Sequence, residues 1–158
     1  MSPRRQGFTL IELVITVAIL GVLALAVLPV AETAVKRAKE SELRTNLREI
    51  RGALDAYKRA WDEGRLPRSI GQSGYPPTLD ALVQGVVDPK SPKGARIYFL
   101  RRLPRDPFFA DPQARASATW GKRSYASPPD SPFEGDDVFD VYSLSEDAGL
   151  NGVPYRQW

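Results

Sequence analysis

The stretch Gly7-Phe8-Thr9-Leu10-Ile11-Glu12, which opens the run FTLIELVITVAILGVLALAVLPVA (Phe8–Ala31), decides how the chain is read. Glu12 is the only charged residue between Gly7 and Glu32. At about 1.5 Å per residue the run would extend roughly 36 Å as a helix. That is enough to cross a hydrocarbon core of about 30 Å with some tilt. An ionisable group inside such a segment costs about 2.5–3.5 kcal/mol on insertion scales at a helix centre, so it usually has a partner and a role. A cleaved secretory signal fits poorly, because its apolar part is usually about 7–15 residues and no small-x-small site precedes a polar start here. A plain single-span anchor fits, except for Glu12.

Just upstream, Arg4 and Arg5 stand in the short leader MSPRRQG. Leader, Gly7-Phe8 junction and Glu12 together resemble the cleavage and methylation signature of type IV prepilins and of the pseudopilins of type II secretion. The resemblance implies cutting between Gly7 and Phe8 by a dedicated membrane prepilin peptidase on the cytoplasmic side, then N-methylation of Phe8. Residues 1–7 would leave, and residues 8–31 would remain as a transmembrane and polymerisation helix. It also implies that Glu12 of an incoming subunit pairs with the mature amino terminus on Phe8 of its neighbour. A carboxylate in a first helical turn is favoured by the helix dipole, but one held in hydrocarbon still wants a specific cation. Without Arg4 and Arg5 the chain keeps 22 − 2 = 20 basic side chains against 19 acidic ones. Its basicity therefore reflects the leader more than a nucleic-acid surface.

Arg4 and Arg5 favour a cytoplasmic amino terminus, whereas Lys36, Arg37 and Lys39 follow the span on its other side. The charge count is nearly balanced or adverse, and the peptidase signature decides the orientation. Pro29, near the end of the run, removes a helix hydrogen bond and tends to kink; neighbours or local adjustments satisfy the freed carbonyl in lipid.

From Glu32 the pattern changes. Leu43, Leu47, Ile50, Leu54, Tyr57 and Trp61 follow each other at helical spacing, one apolar stripe on a charged helix. The stripe is too short for a sustained coiled coil and is expected to pack on the chain's own globular part. Glu40, Glu42 and Glu49 among Lys36, Arg37, Lys39, Arg44, Arg48 and Arg51 read as a mixed solvated face. Gly64 is the stop signal. Residues 32–158 supply one domain's worth of chain, with no Cys to staple it. True type IV pilins commonly close their carboxyl-terminal region with a disulfide, so its absence favours the pseudopilins.

Farther on, a short helix is expected around Thr78–Gln84, with Leu79, Leu82 and Val83 as its apolar face and Gly85 at its end. Residues 88–94 read as loop and Ile97–Leu100 as a short apolar element. Prolines at 104, 107 and 112 exclude a regular helix there, and Asp106 reads as a turn residue tying down backbone amides. Strands are expected at Lys122–Ser127 and Val138–Leu144, the latter alternating Val138, Asp140, Tyr142 and Leu144 against Phe139, Val141 and Ser143. The series YPPTLDALV, YFLRRLPRDPF and Trp120-Gly121 resembles the G-type, or major, pseudopilins over most of the soluble part. The expected fold is α+β and pilin-like: a long amino-terminal helix, half transmembrane and half amphipathic, packed on a small antiparallel sheet.

In that family the last loop holds calcium, which wants six to eight oxygens, several of them carboxylate. Here Ser143–Tyr155 starts like the family's turn but lacks its adjacent terminal aspartates, and only Glu146, Asp147 and Asn151 offer side-chain oxygens. Two readings stand: calcium held by Asp147 and Asn151 with carbonyls, or a metal-free loop closed by Leu150, Pro154, Tyr155 and Trp158 packing inward.

No catalytic set is visible: the chain has no His, no Cys and no phosphate-cradling glycine loop. Arg101, Arg102 and Arg105 are the one candidate basic patch for nucleic acid, against a role in subunit packing or solvation. The resemblance implies a non-enzymatic subunit of a periplasmic pseudopilus, added at the inner membrane by an assembly platform. Its partners would be copies of itself, other pseudopilins and the prepilin peptidase and methyltransferase. The alternative is a minor pseudopilin, or a pilus-like subunit with adhesive or DNA-uptake work.

Overall fold

The structure, a computed structural model, describes residues 7–158, apart from the side chains of residues 25–29. Arg4 and Arg5 of the expected leader, and the Pro29 side chain, lie outside the described residues. The first element, α1, is one helix over Leu10–Asp62, 53 residues, and its backbone continues through position 29. It ends where the sequence places the stop. Gly64 adopts φ +68°, its N–H reaching Trp61 O while Arg65 N–H reaches Ala60 O, both at 2.9 Å. This paired closure satisfies the last carbonyls and suits a residue without Cβ.

The chain divides into two compact units, Met1–Ala38 and Lys39–Trp158. In the first, every large apolar side chain from Phe8 to Leu23 is more than half exposed, from 52% at Ile15 to 82% at Leu10. Among the described residues no helix is long and apolar enough to cross a membrane; the expected span over residues 8–31 runs through positions 25–29, whose side chains are not among them.

The second unit is built on the amphipathic half of α1. Leu43, Leu47, Ile50, Leu54 and Tyr57 are all buried, and Trp61 packs against the same core half-buried. Facing them are Leu66, Leu79, Leu82, Leu100, Trp120, Val138, Val141 and Tyr155. The stripe thus closes on its own domain, as its period requires.

A short helix α2, Ala81–Gln84, follows a turn in which Ala81 N–H bonds Thr78 O and Leu82 N–H bonds Leu79 O. Leu82 then anchors the next segment: Phe99 and Leu100 N–H both donate to its carbonyl at 3.0 Å. Between them β1 (Val86–Val87) and β2 (Arg96–Ile97) pair antiparallel. A second antiparallel pair joins β3 (Trp120–Arg123) to β4 (Asp140–Ser143), with Trp120 opposite Ser143 and Arg123 opposite Asp140. The α+β class holds, with the sheet split into two ribbons.

The β3 strand lies earlier than its sequence pattern suggests, for a definite reason. Past Arg123 the amides leave the β4 ladder: Ser124 N–H bonds Phe133 O at 3.0 Å, and Asp137 Oδ1 takes the Tyr125 N–H at 2.8 Å and the Ser124 hydroxyl at 2.9 Å. At the other end Trp120 and Gly121 are buried and join the ladder. Along β4 the alternation is as expected, Val141 and Ser143 buried and Asp140 and Tyr142 half-exposed.

Gly121 sits across from Tyr142, and a Cβ there would lie 2.3 Å from the Tyr142 ring. Gly121→Ala is expected to push the ring outward and to cost about 1–3 kcal/mol, read as a lower urea midpoint with an unchanged slope.

Candidate functional site

Two regions hold the residues singled out by the sequence, and each belongs to its own unit. In the first, Gly7, Phe8 and Glu12 fall within about one turn of the α1 start. Thr9 precedes the helix and Glu12 is its third residue, the spacing of a capping box. Thr9 N–H and Oγ–H both point to Glu12 Oε2, at 3.4 and 3.3 Å, while Glu12 N–H returns to Thr9 Oγ1 at 3.3 Å. These are long, exposed bonds, worth little each, but they set the helix start and the side-chain direction. The signal for them is the T-x-x-E spelling itself, which the membrane reading of Glu12 overshadows. Phe8 is 81% exposed, and a Cβ at Gly7 would meet nothing within 4 Å, so the Gly7–Phe8 bond stands clear of neighbouring atoms.

The second region is the carboxyl-terminal loop. Asp147 and Asn151 share it, and both side chains are exposed. The loop closes on itself through Gly149 N–H to Val153 O at 2.9 Å, Tyr155 N–H to Asp147 O at 3.0 Å and Trp158 Nε1–H to Val153 O at 3.2 Å. Asn151 Oδ1 accepts the Val153 N–H at 3.1 Å. Among the described residues no group of three or more His, Cys, Asp or Glu side chains gathers to hold a metal. Two exposed carboxylates, Glu146 and Asp147, with a carboxamide oxygen already engaged, fall short of the several carboxylates among six to eight oxygens that calcium takes.

Aromatic packing fills the inner side instead. Tyr155 is fully buried, stacked on Phe108 at 4.1 Å and edge-on to Trp158 at 5.0 Å. Leu150, expected to pack inward, keeps 47% of its surface exposed. Its amide is the inward group, donating to Glu40 Oε1 at 2.7 Å, and the Tyr155 hydroxyl donates to the same oxygen at 3.1 Å. Burial, then the hydrogen bond to Glu40, pushes the Tyr155 phenol up to about 12, so it remains a donor throughout the neutral range.

Glu40, read from the sequence as solvated, is therefore a buried residue. Arg51, on the same supposed solvated face, is also half-withdrawn: it reaches Asp140 at 2.8 Å, Val141 O at 3.1 Å and Trp158 O at 2.7 Å. Asn46 Nδ2–H bonds Arg105 O at 2.9 Å. A helical wheel does not find these, because partners up to 115 residues away decide them.

Asp106 is 3% exposed and does what a turn residue should. It accepts Phe108 N–H at 2.8 Å and the Ser143 hydroxyl at 2.5 Å. Arg105 is spent on the carbonyls of Asp111 and Ala114, which leaves Arg101 and Arg102 as the exposed part of the basic patch.

The prokaryotic N-terminal methylation motif matches residues 2–28. The chain is 33% identical over 155 residues to the type II secretion system core protein G of Klebsiella pneumoniae, covering 96% of this chain and 89% of that protein. It is 32% identical over 157 residues to the protein of the same name from Pseudomonas aeruginosa, covering 96% and 92%. A shorter similarity, 45% over 56 residues and 35% of this chain, links it to the type IV major pilin protein PilA of Myxococcus xanthus. No solved structure matches. With similarity running almost end to end, the chain belongs to the type II secretion system core protein G family, within the pilin-like proteins.

Proposed function

We propose that the chain is a polymerising structural subunit of a pseudopilus in a type II secretion system, and not an enzyme. Prepilin peptidase cuts it between Gly7 and Phe8, and Phe8 is then N-methylated. Residues 8–31 hold it in the inner membrane with residues 32–158 in the periplasm, and an assembly platform transfers it into a filament with copies of itself and other pseudopilins. There it contributes to moving folded proteins across the outer membrane.

One observation carries the reading. From Leu10 to Leu23 large apolar side chains stand more than half exposed all round a helix. A helix apolar on every side needs lipid or other helices around it. The filament answers the same need as the membrane, so one segment serves both states without refolding.

The test is overproduction of the full chain together with its peptidase and assembly platform. Electron microscopy is expected to show fibres, and mass spectrometry of the purified chain an amino terminus at N-methylated Phe8. Retention of Met1 under active processing, or a correctly processed chain that never forms fibres, would overturn the proposal.

A further inference from the structure

We propose that Glu40 fastens the carboxyl-terminal loop to α1 and makes that closure independent of calcium. What the loop turns toward Glu40 are donors, the Leu150 N–H at 2.7 Å and the Tyr155 O–H at 3.1 Å, both aimed at Oε1, while its one acceptor shown to face α1, Trp158 O, is taken by Arg51 at 2.7 Å. Two convergent donors form a receptor for an anion, and a cation there would meet the positive ends of both dipoles. Several of the loop's oxygens, meanwhile, serve the loop's own N–H groups. Gly149 O accepts Gly152 N–H, Asp147 O accepts Tyr155 N–H, and Val153 O accepts two donors.

Glu40 is 7% exposed, so its charge needs compensation. The two donors supply part of it. Cations flank it along α1: Lys39 lies over the Phe108 ring at 5.8 Å and Arg44 over the Trp158 ring at 4.2 Å. Those rings are the ones that pack against Tyr155, Phe108 stacked and Trp158 edge-on. Carboxylate, phenol and flanking cation–ring pairs thus hold one turn of α1 against the last sixteen residues of the chain (Ser143–Trp158).

The measurement is thermal unfolding of the full chain in detergent, with millimolar calcium or with excess chelator, for the wild type, Glu40→Ala and Glu40→Gln. Wild-type midpoints are expected to agree within about 1 °C in the two conditions. Glu40→Ala strands both donors in a buried place and is expected to lower the midpoint by about 10 °C. Glu40→Gln keeps an oxygen acceptor and is expected to restore more than half of that loss. Amide hydrogen exchange at Leu150 gives a readout that does not depend on any variant folding: it is expected to be slow in the wild type with chelator present. Fast Leu150 exchange in chelator, a wild-type midpoint that calcium raises by several degrees, or an unchanged midpoint in Glu40→Ala would each overturn the proposal. None of these readouts involves fibres, so the result is separate from the fate of the filament reading.

Discussion

Glu12→Ala is expected to leave cleavage after Gly7 and membrane insertion at wild-type amounts while abolishing incorporation into fibres. Two roles for Glu12 must be separated to make this decisive. As a capping-box residue it shares weak bonds with Thr9 at 3.3–3.4 Å, and losing such a cap costs about 0.5–2 kcal/mol. As the proposed counter-ion of a neighbour's Phe8 amine, its loss strands a positive charge in an apolar filament core, about 3–5 kcal/mol. At about 1.4 kcal/mol per tenfold, the second loss exceeds a hundredfold in every subunit addition.

Two further variants divide these roles. Glu12→Gln preserves a capping box, which accepts Gln at that position, but removes the charge. Thr9→Val removes the cap and keeps the charge. If the ion pair governs assembly, Gln fails as badly as Ala while Thr9→Val still forms fibres. Fibres from Glu12→Gln, counted by electron microscopy against equal amounts of processed chain, would return the residue to a local helix role.

What the sequence makes legible follows from the range of the interactions. The stripe from Leu43 to Trp61 is a local, periodic signal, and burial follows it from Leu43 to Tyr57, with Trp61 half-buried at its end. Gly64 is equally local, a backbone conformation demanding its residue type. Asp106 was readable as a turn because an aspartate between two prolines has few other uses, and its Phe108 bond is two residues long. Glu40 and Arg51 are different. They occupy flanks of the apolar stripe, where charge is the default reading, and their partners come from β4 and the carboxyl-terminal loop. Only the closing of the chain reveals that these charges bind polar groups at the helix–sheet boundary.

The β3 register teaches the same lesson from the other side. Lys122–Ser127 has an apolar alternation too faint to fix a strand, and past Arg123 its amides find other partners, Ser124 N–H the Phe133 carbonyl and Tyr125 N–H the Asp137 carboxylate. A carboxylate can replace a neighbouring strand at an edge, satisfying N–H groups that would otherwise invite pairing with another copy.

Trp120→Ala is expected to be the most damaging single change in the head. Trp120 is 1% exposed and sits in the core formed by the α1 stripe. It is also a strut, because its Nε1–H donates to Pro104 O at 2.9 Å. That holds the proline-rich segment whose next two residues receive Asn46 from α1, at Arg105 O, and Thr119 Oγ1, at Asp106 N–H. Truncation would open a cavity costing about 3–5 kcal/mol and leave the Pro104 carbonyl without its donor. A domain of this size has about 5–15 kcal/mol in all, so a drop in the melting midpoint of about 10–20 °C follows. Trp120→Phe fills most of the space and loses only the indole bond, for about 1–2 kcal/mol. The contrast between the two variants measures packing against strut. If Ala and Phe fall together, the Pro104 bond governs the segment; if Phe stays near wild type, the core does. In either case cleavage at Gly7–Phe8 is expected to persist, because that junction lies in the other compact unit. A Trp120→Ala chain that is processed normally yet makes no fibres above its melting midpoint would show that the helix alone cannot sustain assembly.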